Sequence, residues 1–265
     1  MPELPEVEDA AQRLRIAAVG RTLLGMTPLH PAQRRSLSVA SCRALAGVRV
    51  VRVTRRAKLQ LVEFDSGHVL EVHFRMTGDW TMSTDADPAP QHERVRFDFT
   101  DGSRVSLVDG RALSVLRIHA PGAFVLPDFG PEPLDEEWTA DAFRAALAPR
   151  RGPIKPLLLD QRVLSGIGNI YAAESLWESR IDPRTPASKL SKARVTRLHE
   201  AVRAVLRRAP AGRYYESGGS MRAASEDEAW RVYGKEGEPC RRCGKTIKRL
   251  VQAGRSTFWC SGCQK

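Results

Sequence analysis

The chain has 265 residues, enough for one or two domains that bury their own cores without disulfide staples. A composition 42% hydrophobic and 28% charged excludes a disordered or collagen-like chain, and no apolar run approaches the roughly 20 residues of a membrane span. The N-terminus lacks the basic-then-apolar pattern of a secretory signal, so a soluble, cytoplasmic protein is expected. Its net charge is +11, and that charge is unevenly placed. Residues 141–265 carry 25 Lys and Arg against 12 Asp and Glu, whereas residues 1–140 carry 17 against 19. The surplus in the second half is dispersed through patterned segments, which points to a polyanionic partner more than to a basic tail.

In chain order, residues 4–19 place Val7, Ala10, Ala11, Leu14 and Ala18 on one helical face, with Pro5 in the first turn and Gly20 at the stop. The period then changes. Strands are expected around Val48, Val50 and Val51, over Leu59 and Leu61, and over Leu70, Val72 and Phe74, the last two joined by a turn at Asp65-Ser66-Gly67. Residues 93–100 alternate, with Val95, Phe97 and Phe99 inward, and two more strands follow in 104–109 and 114–120. This is a mostly antiparallel β domain behind one helix. A Pro/Gly-rich stretch over 121–138 reads as a linker. Helices are expected over 140–148, 154–163, 169–179 and 187–208, the last with Leu190, Val195, Leu198, Val202 and Leu206 on its apolar face. Residues 211–229 have little periodicity and read as a loop.

Four of the five cysteines form one pattern: Cys240 and Cys243, then sixteen residues, then Cys260 and Cys263. Two such knuckles deliver four thiolates to one tetrahedral zinc, and a site with no open position is structural. Arg241, Arg242, Lys245 and Lys248 are expected to help keep the thiols ionised. Disulfides fit poorly with a chain that lacks a secretory signal. Cys42 stands apart and reads as an inert buried thiol.

The sequence holds no phosphate-binding P-loop and no paired-histidine metal motif. Gly166-Ile167-Gly168-Asn169 lies between helices, where backbone N–H groups and the Asn169 side chain suit a phosphate. The other candidate is the N-terminus. Removal of the initiator Met would leave Pro2 with a free α-amine, which is far less protonated at neutral pH than a lysine. Glu3 would serve as its proton donor and Glu6 as a base positioning water. Proline and glutamate in a first helical turn are equally what any well-capped helix prefers, and the residues alone leave both readings open.

The octapeptide MPELPEVE resembles the start of the formamidopyrimidine-DNA glycosylase and endonuclease VIII family, and Leu4 favours the formamidopyrimidine branch. Residues 157–177, LLLDQRVLSGIGNIYAAESLW, resemble its helix-two-turn-helix, and 232–243 with 253–265 resemble its zinc finger. The resemblance spans the chain. It implies an α+β fold: an N-terminal helix with a two-layered antiparallel β-sandwich over 1–130, a helical DNA-binding domain over 131–231, and a β-hairpin zinc finger over 232–265. It also implies a bifunctional base-excision-repair enzyme, monomeric and bacterial, holding one structural Zn2+ and working on the nucleoid. Such an enzyme removes oxidised bases from duplex DNA through a Schiff base on Pro2, then cleaves the strand by β,δ-elimination with Glu3 protonating the opened sugar.

By the same resemblance Lys58 and Asn169 are phosphate contacts, His73 belongs to the DNA-binding set, Met76 fills the void left by the flipped nucleotide, and Arg255 is the zinc-finger arginine. Arg111 would face the orphaned base, with Leu113 where the family carries an aromatic wedge. Arg75 replaces a glycine, and Gly218-Gly219-Ser220 only partly matches the base-capping segment. Preference for 8-oxoguanine therefore stays open against the oxidised pyrimidines of endonuclease VIII. Other readings are a lyase-only or non-catalytic damage-binding paralogue and, more remotely, a zinc-ribbon RNA-binding protein.

Overall fold

Helix α1 (Leu4–Ala18) starts with Pro5 in its first turn, and Val7, Ala10, Ala11, Leu14 and Ala18 are buried as the periodicity requires. The structure, a computed structural model, describes residues 1–209 and 230–265 and divides them into two units, Met1–Pro127 and 128–209 with 230–265. The expected loop over 211–229 lies outside the described residues.

In the first unit two antiparallel four-stranded sheets face each other. One has β1 (Leu23–Pro28), β6 (Glu93–Phe99), β7 (Ser103–Asp109) and β5 (Gly78–Thr84) in that order. The other has β2 (Val50–Arg56), β3 (Leu59–Phe64), β4 (Val69–His73) and β8 (Val115–His119). Trp80, Phe97, Phe99 and Leu107 from the first sheet meet Val53, Val62, Phe64, Leu70 and Val72 from the second, with Ala11 and Leu14 of α1 joining the same core. Phe74 and Phe97 meet the Trp80 ring edge-on, at 5.6 and 5.8 Å between centroids.

Two strands and two short helices were not legible. A bulge between Leu23 and Gly25 breaks the alternation of β1, so its buried positions recur every third residue. In β5 the buried Asp79 hides the apolar pattern. Its carboxylate is paired with Arg13 of α1 at 2.6 Å. Helices α2 (Pro31–Arg34) and α3 (Val39–Arg43) are too short to show a period, though His30 and Ser38 cap them through their side chains. Val48 lies outside β2, and Val51 is exposed. Cys42 is buried as expected, and burial pushes its thiol pKa up.

In the second unit the helices are α4 (Ala140–Leu147), α5 (Ile154–Leu158), α6 (Asn169–Glu178) and α7 (Lys192–Arg207). Helix α5 stops five residues short of its expected end, because the chain turns at Asp160 and again at Gly166. Gly166 has φ of +81°, open to glycine at little cost, and Gln161 fastens the two turns by accepting from the Gly166 N–H and donating to the Leu159 and Ile167 carbonyls. Leu190 precedes α7 instead of joining its face. A 3-10 turn over Ala187–Lys189 ends there, and Ser191 caps the helix proper. The end of the expected linker is core: Trp138 is buried against Phe143 and His199. Strands β9 (Ile247–Gln252) and β10 (Arg255–Cys260) form a hairpin that packs with Val232 and Cys240 on Ala173 and Trp177 of α6. Helices and finger thus share one unit. No helix among the described residues is long and apolar enough to cross a membrane.

Candidate active site and nucleic-acid interface

The N-terminus is where the first unit collects its ionisable groups. Pro2 is buried, Glu3 is 1% exposed, and the Glu6 carboxylate accepts the Glu3 N–H at 2.8 Å in a capping box. Burial lowers the pKa of the Met1 amine below its ordinary value. Glu3 and Glu6 oppose that shift, while Lys58 and Arg111 reinforce it. Both cations therefore lie within electrostatic reach of the terminus. Lys58 is delivered by the β2–β3 turn, where Arg56 pairs with Leu59 and Ala57 takes the left-handed φ of +54°. The structure brings Pro2, Glu3, Glu6, Lys58 and Arg111 together, and it also realises the helix-capping reading.

Two neighbouring turns carry the remaining first-half candidates. In the first, His73 accepts the Arg75 N–H at Nδ1, 2.9 Å away, which leaves the proton on Nε2. Burial and the nearby charges of Arg75 and Lys58 hold the His73 pKa down at about 4, so at neutral pH the ring is an uncharged donor. Met76 is half-buried, and Leu113 of the second turn is 43% exposed. Gly78 is required here, since a Cβ would lie 2.4 Å from Ser114 Oγ.

A residue that the sequence reading missed fixes both turns. The buried Asp109 carboxylate accepts the Ser114 N–H and Oγ–H at 2.7 Å each, the Arg111 N–H at 3.1 Å, and the Thr77 hydroxyl. One anion thereby ties the Met76 turn to the loop bearing Arg111 and Leu113. Asp109→Ala would take the acceptor from the buried Ser114 N–H and Thr77 hydroxyl, while the Ser114 hydroxyl keeps the Phe74 carbonyl and the Arg111 N–H keeps Thr77 Oγ1. The expected loss is about 3 kcal/mol, measured by urea unfolding, with Asp109→Asn milder because one oxygen remains.

In the second unit Asn169 opens α6. Its Nδ2 donates to the Ser256 carbonyl at 2.9 Å, and its Oδ1 accepts from Lys155 Nζ at 2.6 Å. Lys155 is wholly buried and also donates to Thr257 Oγ1 and to the Ser256 carbonyl. The start of α6 is therefore fastened to the residue beside Arg255, which is exposed at the start of β10 after the left-handed pair Ala253-Gly254. A lysine inside the apolar run Ile154–Leu158 was the available signal for this connection.

Cys240, Cys243, Cys260 and Cys263 place their sulfurs within 4.8 Å of one another, and all four are free thiols. The closest sulfur contacts, 3.5 and 3.9 Å, are far longer than a disulfide. Four soft donors converging from two knuckles fit a single tetrahedral structural zinc. Burial raises the Cys240 pKa, but the Trp177 indole N–H and the backbone N–H groups of Arg242 and Cys243 outweigh it and bring the thiol down to about 6. Those dipoles are the main groups that favour this thiolate. Arg242 instead stacks on Trp177 at 3.8 Å.

Three family models match the chain: the formamidopyrimidine-DNA glycosylase N-terminal domain over 1–116, the H2TH domain of the same glycosylases over 129–215, and the zinc finger found in FPG and IleRS over 237–265. The formamidopyrimidine-DNA glycosylase of Chloroflexus aurantiacus is 38% identical over 272 residues, covering 100% of this chain and 98% of its own. That of Sphingopyxis alaskensis is 38% identical over 277 residues, covering 100% of both. Among solved structures, Lactococcus lactis Fpg with abasic-site DNA matches at TM-score 0.88 and 30% identity over 99% of each chain. MutM in complex with DNA containing carbocyclic 8-oxo-G matches at 0.88 and 30% over 100% of each. Three family segments in order, relatives aligned along the full length and a shared fold place the chain in the formamidopyrimidine-DNA glycosylase family.

Proposed function

We propose that this member of a DNA-repair family is a bifunctional glycosylase/AP lyase that removes oxidised bases from duplex DNA and cuts the strand through a Schiff base on Pro2. The observation that carries the reading is the buried Glu3 carboxylate next to the buried Pro2 at the chain start, with Lys58 and Arg111 in electrostatic reach of the Met1 amine that precedes it. Once Met1 is removed, the Pro2 nitrogen bonds to C1′ of the flipped nucleoside and the bond from C1′ to the base breaks, the base taking its proton from water. The proton that Pro2 sheds passes to Glu3, which returns it to the ring oxygen O4′ as the sugar opens to the iminium. Loss of the C2′ proton then expels the 3′ phosphate, a second elimination expels the 5′ phosphate, and water frees Pro2. Glu6, buried and holding the Glu3 N–H, is assigned to fixing that carboxylate at the head of α1.

Lys58, His73, Asn169 and Arg255 are assigned to the DNA backbone, and Met76, Arg111 and Leu113 to the space that the flipped nucleotide leaves. Binding should therefore weaken steeply with salt. The enzyme is read as a monomer of the bacterial cytoplasm acting on nucleoid DNA. Borohydride trapping on a duplex with an abasic site tests the mechanism: wild type should give a covalent adduct, and one added residue before Pro2 should abolish it. No adduct from wild type, or trapping that survives the extension, sinks the Pro2 mechanism. An excision panel of 8-oxoguanine, formamidopyrimidines, thymine glycol and 5-hydroxycytosine assigns the lesion.

A further inference from the structure

Six residues other than glycine adopt positive φ among the described residues: Ala57, Arg75, His92, Ala112, Arg180 and Ala253. Three belong to the turns around the N-terminal site, and of those Arg75 has the largest side chain. At φ of +57° its Cβ crowds the backbone, a conformation that glycine adopts freely and a long side chain does not. Strain of this kind persists where something other than local folding preference selects the residue.

The Arg75 side chain is exposed, and its guanidinium has no hydrogen bond or ion pair among the described residues. Several other arginines of the first unit, among them Arg13, Arg52, Arg55, Arg96, Arg104 and Arg117, pair with carboxylates. Arg75 therefore does nothing for the fold that would offset its backbone. It stands two residues after His73, whose Nε2–H is the free donor of the ring, and directly before Met76. Its charge reaches His73, as does that of Lys58, so the three groups lie in one neighbourhood.

We propose that Arg75 is an additional phosphodiester-binding residue, gripping the DNA backbone beside His73 with its planar fork of donors. A guanidinium matches two phosphate oxygens at once, and a neutral histidine adds a directional bond without repelling it. The proposal rests on the glycosylase reading for the identity of the polyanion.

Two variants separate charge from strain. Arg75→Gln keeps the left-handed backbone and removes the charge, whereas Arg75→Gly removes both. Binding to a duplex with a tetrahydrofuran abasic analogue should weaken about tenfold near 0.15 M salt in each variant, and the slope of log affinity against log salt should fall by about 1. Arg75→Gly alone should raise the melting temperature, by roughly 2 °C, because it relieves the turn. An unchanged salt slope in both variants overturns the proposal, as does tighter binding by Arg75→Gly. Borohydride trapping of the wild type is measured in parallel. If wild type traps and the slopes are unchanged, only the role of Arg75 fails; if wild type does not trap, the glycosylase reading fails first.

Discussion

Glu3→Gln is expected to lower base excision and strand cleavage by about 10²–10⁴-fold while leaving the protein folded and able to bind an abasic-site duplex. Glu3 sits at the head of α1 in a capping box with Glu6, so a purely structural role and a catalytic role predict different outcomes for this one substitution. Glutamine preserves the shape and an acceptor oxygen, so the helix start should lose little. It cannot carry the proton between the Pro2 nitrogen and O4′. Glu3→Ala removes the cap as well, and should cost about 1 kcal/mol of stability in addition to activity. Single-turnover excision rates, read beside thermal melts of both variants, decide the matter. Near-normal turnover by Glu3→Gln would leave Glu3 as a cap and nothing more.

Removal of zinc is the second large effect. The metal is expected at one per chain by atomic absorption, and chelation should unfold the finger, since a structural zinc contributes on the order of 10 kcal/mol to such a hairpin. The finger is fastened to the helices through Trp177 against Cys240 and through Lys155, Thr257 and Ser256 next to Asn169. Loss of the metal should therefore disturb Asn169 along with Arg255. Duplex affinity should fall more than 100-fold, about 3 kcal/mol, and a Cys243→Ser variant should reproduce much of the loss. Undiminished DNA binding by the zinc-free protein would show that the hairpin does not grip.

Much of this was written in the linear chain. The period of α1, the alternation through Val95, Phe97 and Phe99, and the cysteine spacing each reflect one strong local demand: burial of a helical face, burial of a sheet face, and coordination of a cation. What escaped was built from single polar groups whose partners are distant in sequence. Asp109 meets Thr77 across 32 residues, and Lys155 meets Thr257 across 102, and no periodicity announces either pairing. Strand β5 was missed for the same reason, since Asp79 looks like a loop residue until Arg13 of α1 neutralises it. Among the site residues, the N-terminal group and the cysteines could be argued from chemistry. Met76, Leu113 and Arg255 rested on the family resemblance, because a half-buried or exposed apolar or cationic side chain has no fold-level signature of its own.

The shared carboxylate beneath the Met76 and Leu113 turns has an evolutionary corollary. Residues anchored to a single buried anion do not drift independently. A change in the length of either turn, or in Thr77 or Ser114, alters the footing of the others, so effects of paired substitutions there should depart from additivity. The Arg111 and Leu113 side chains displayed there are exposed and take no part in that anchorage. If position 113 is the wedge proposed above, its leucine stands on the same carboxylate pedestal that an aromatic side chain would.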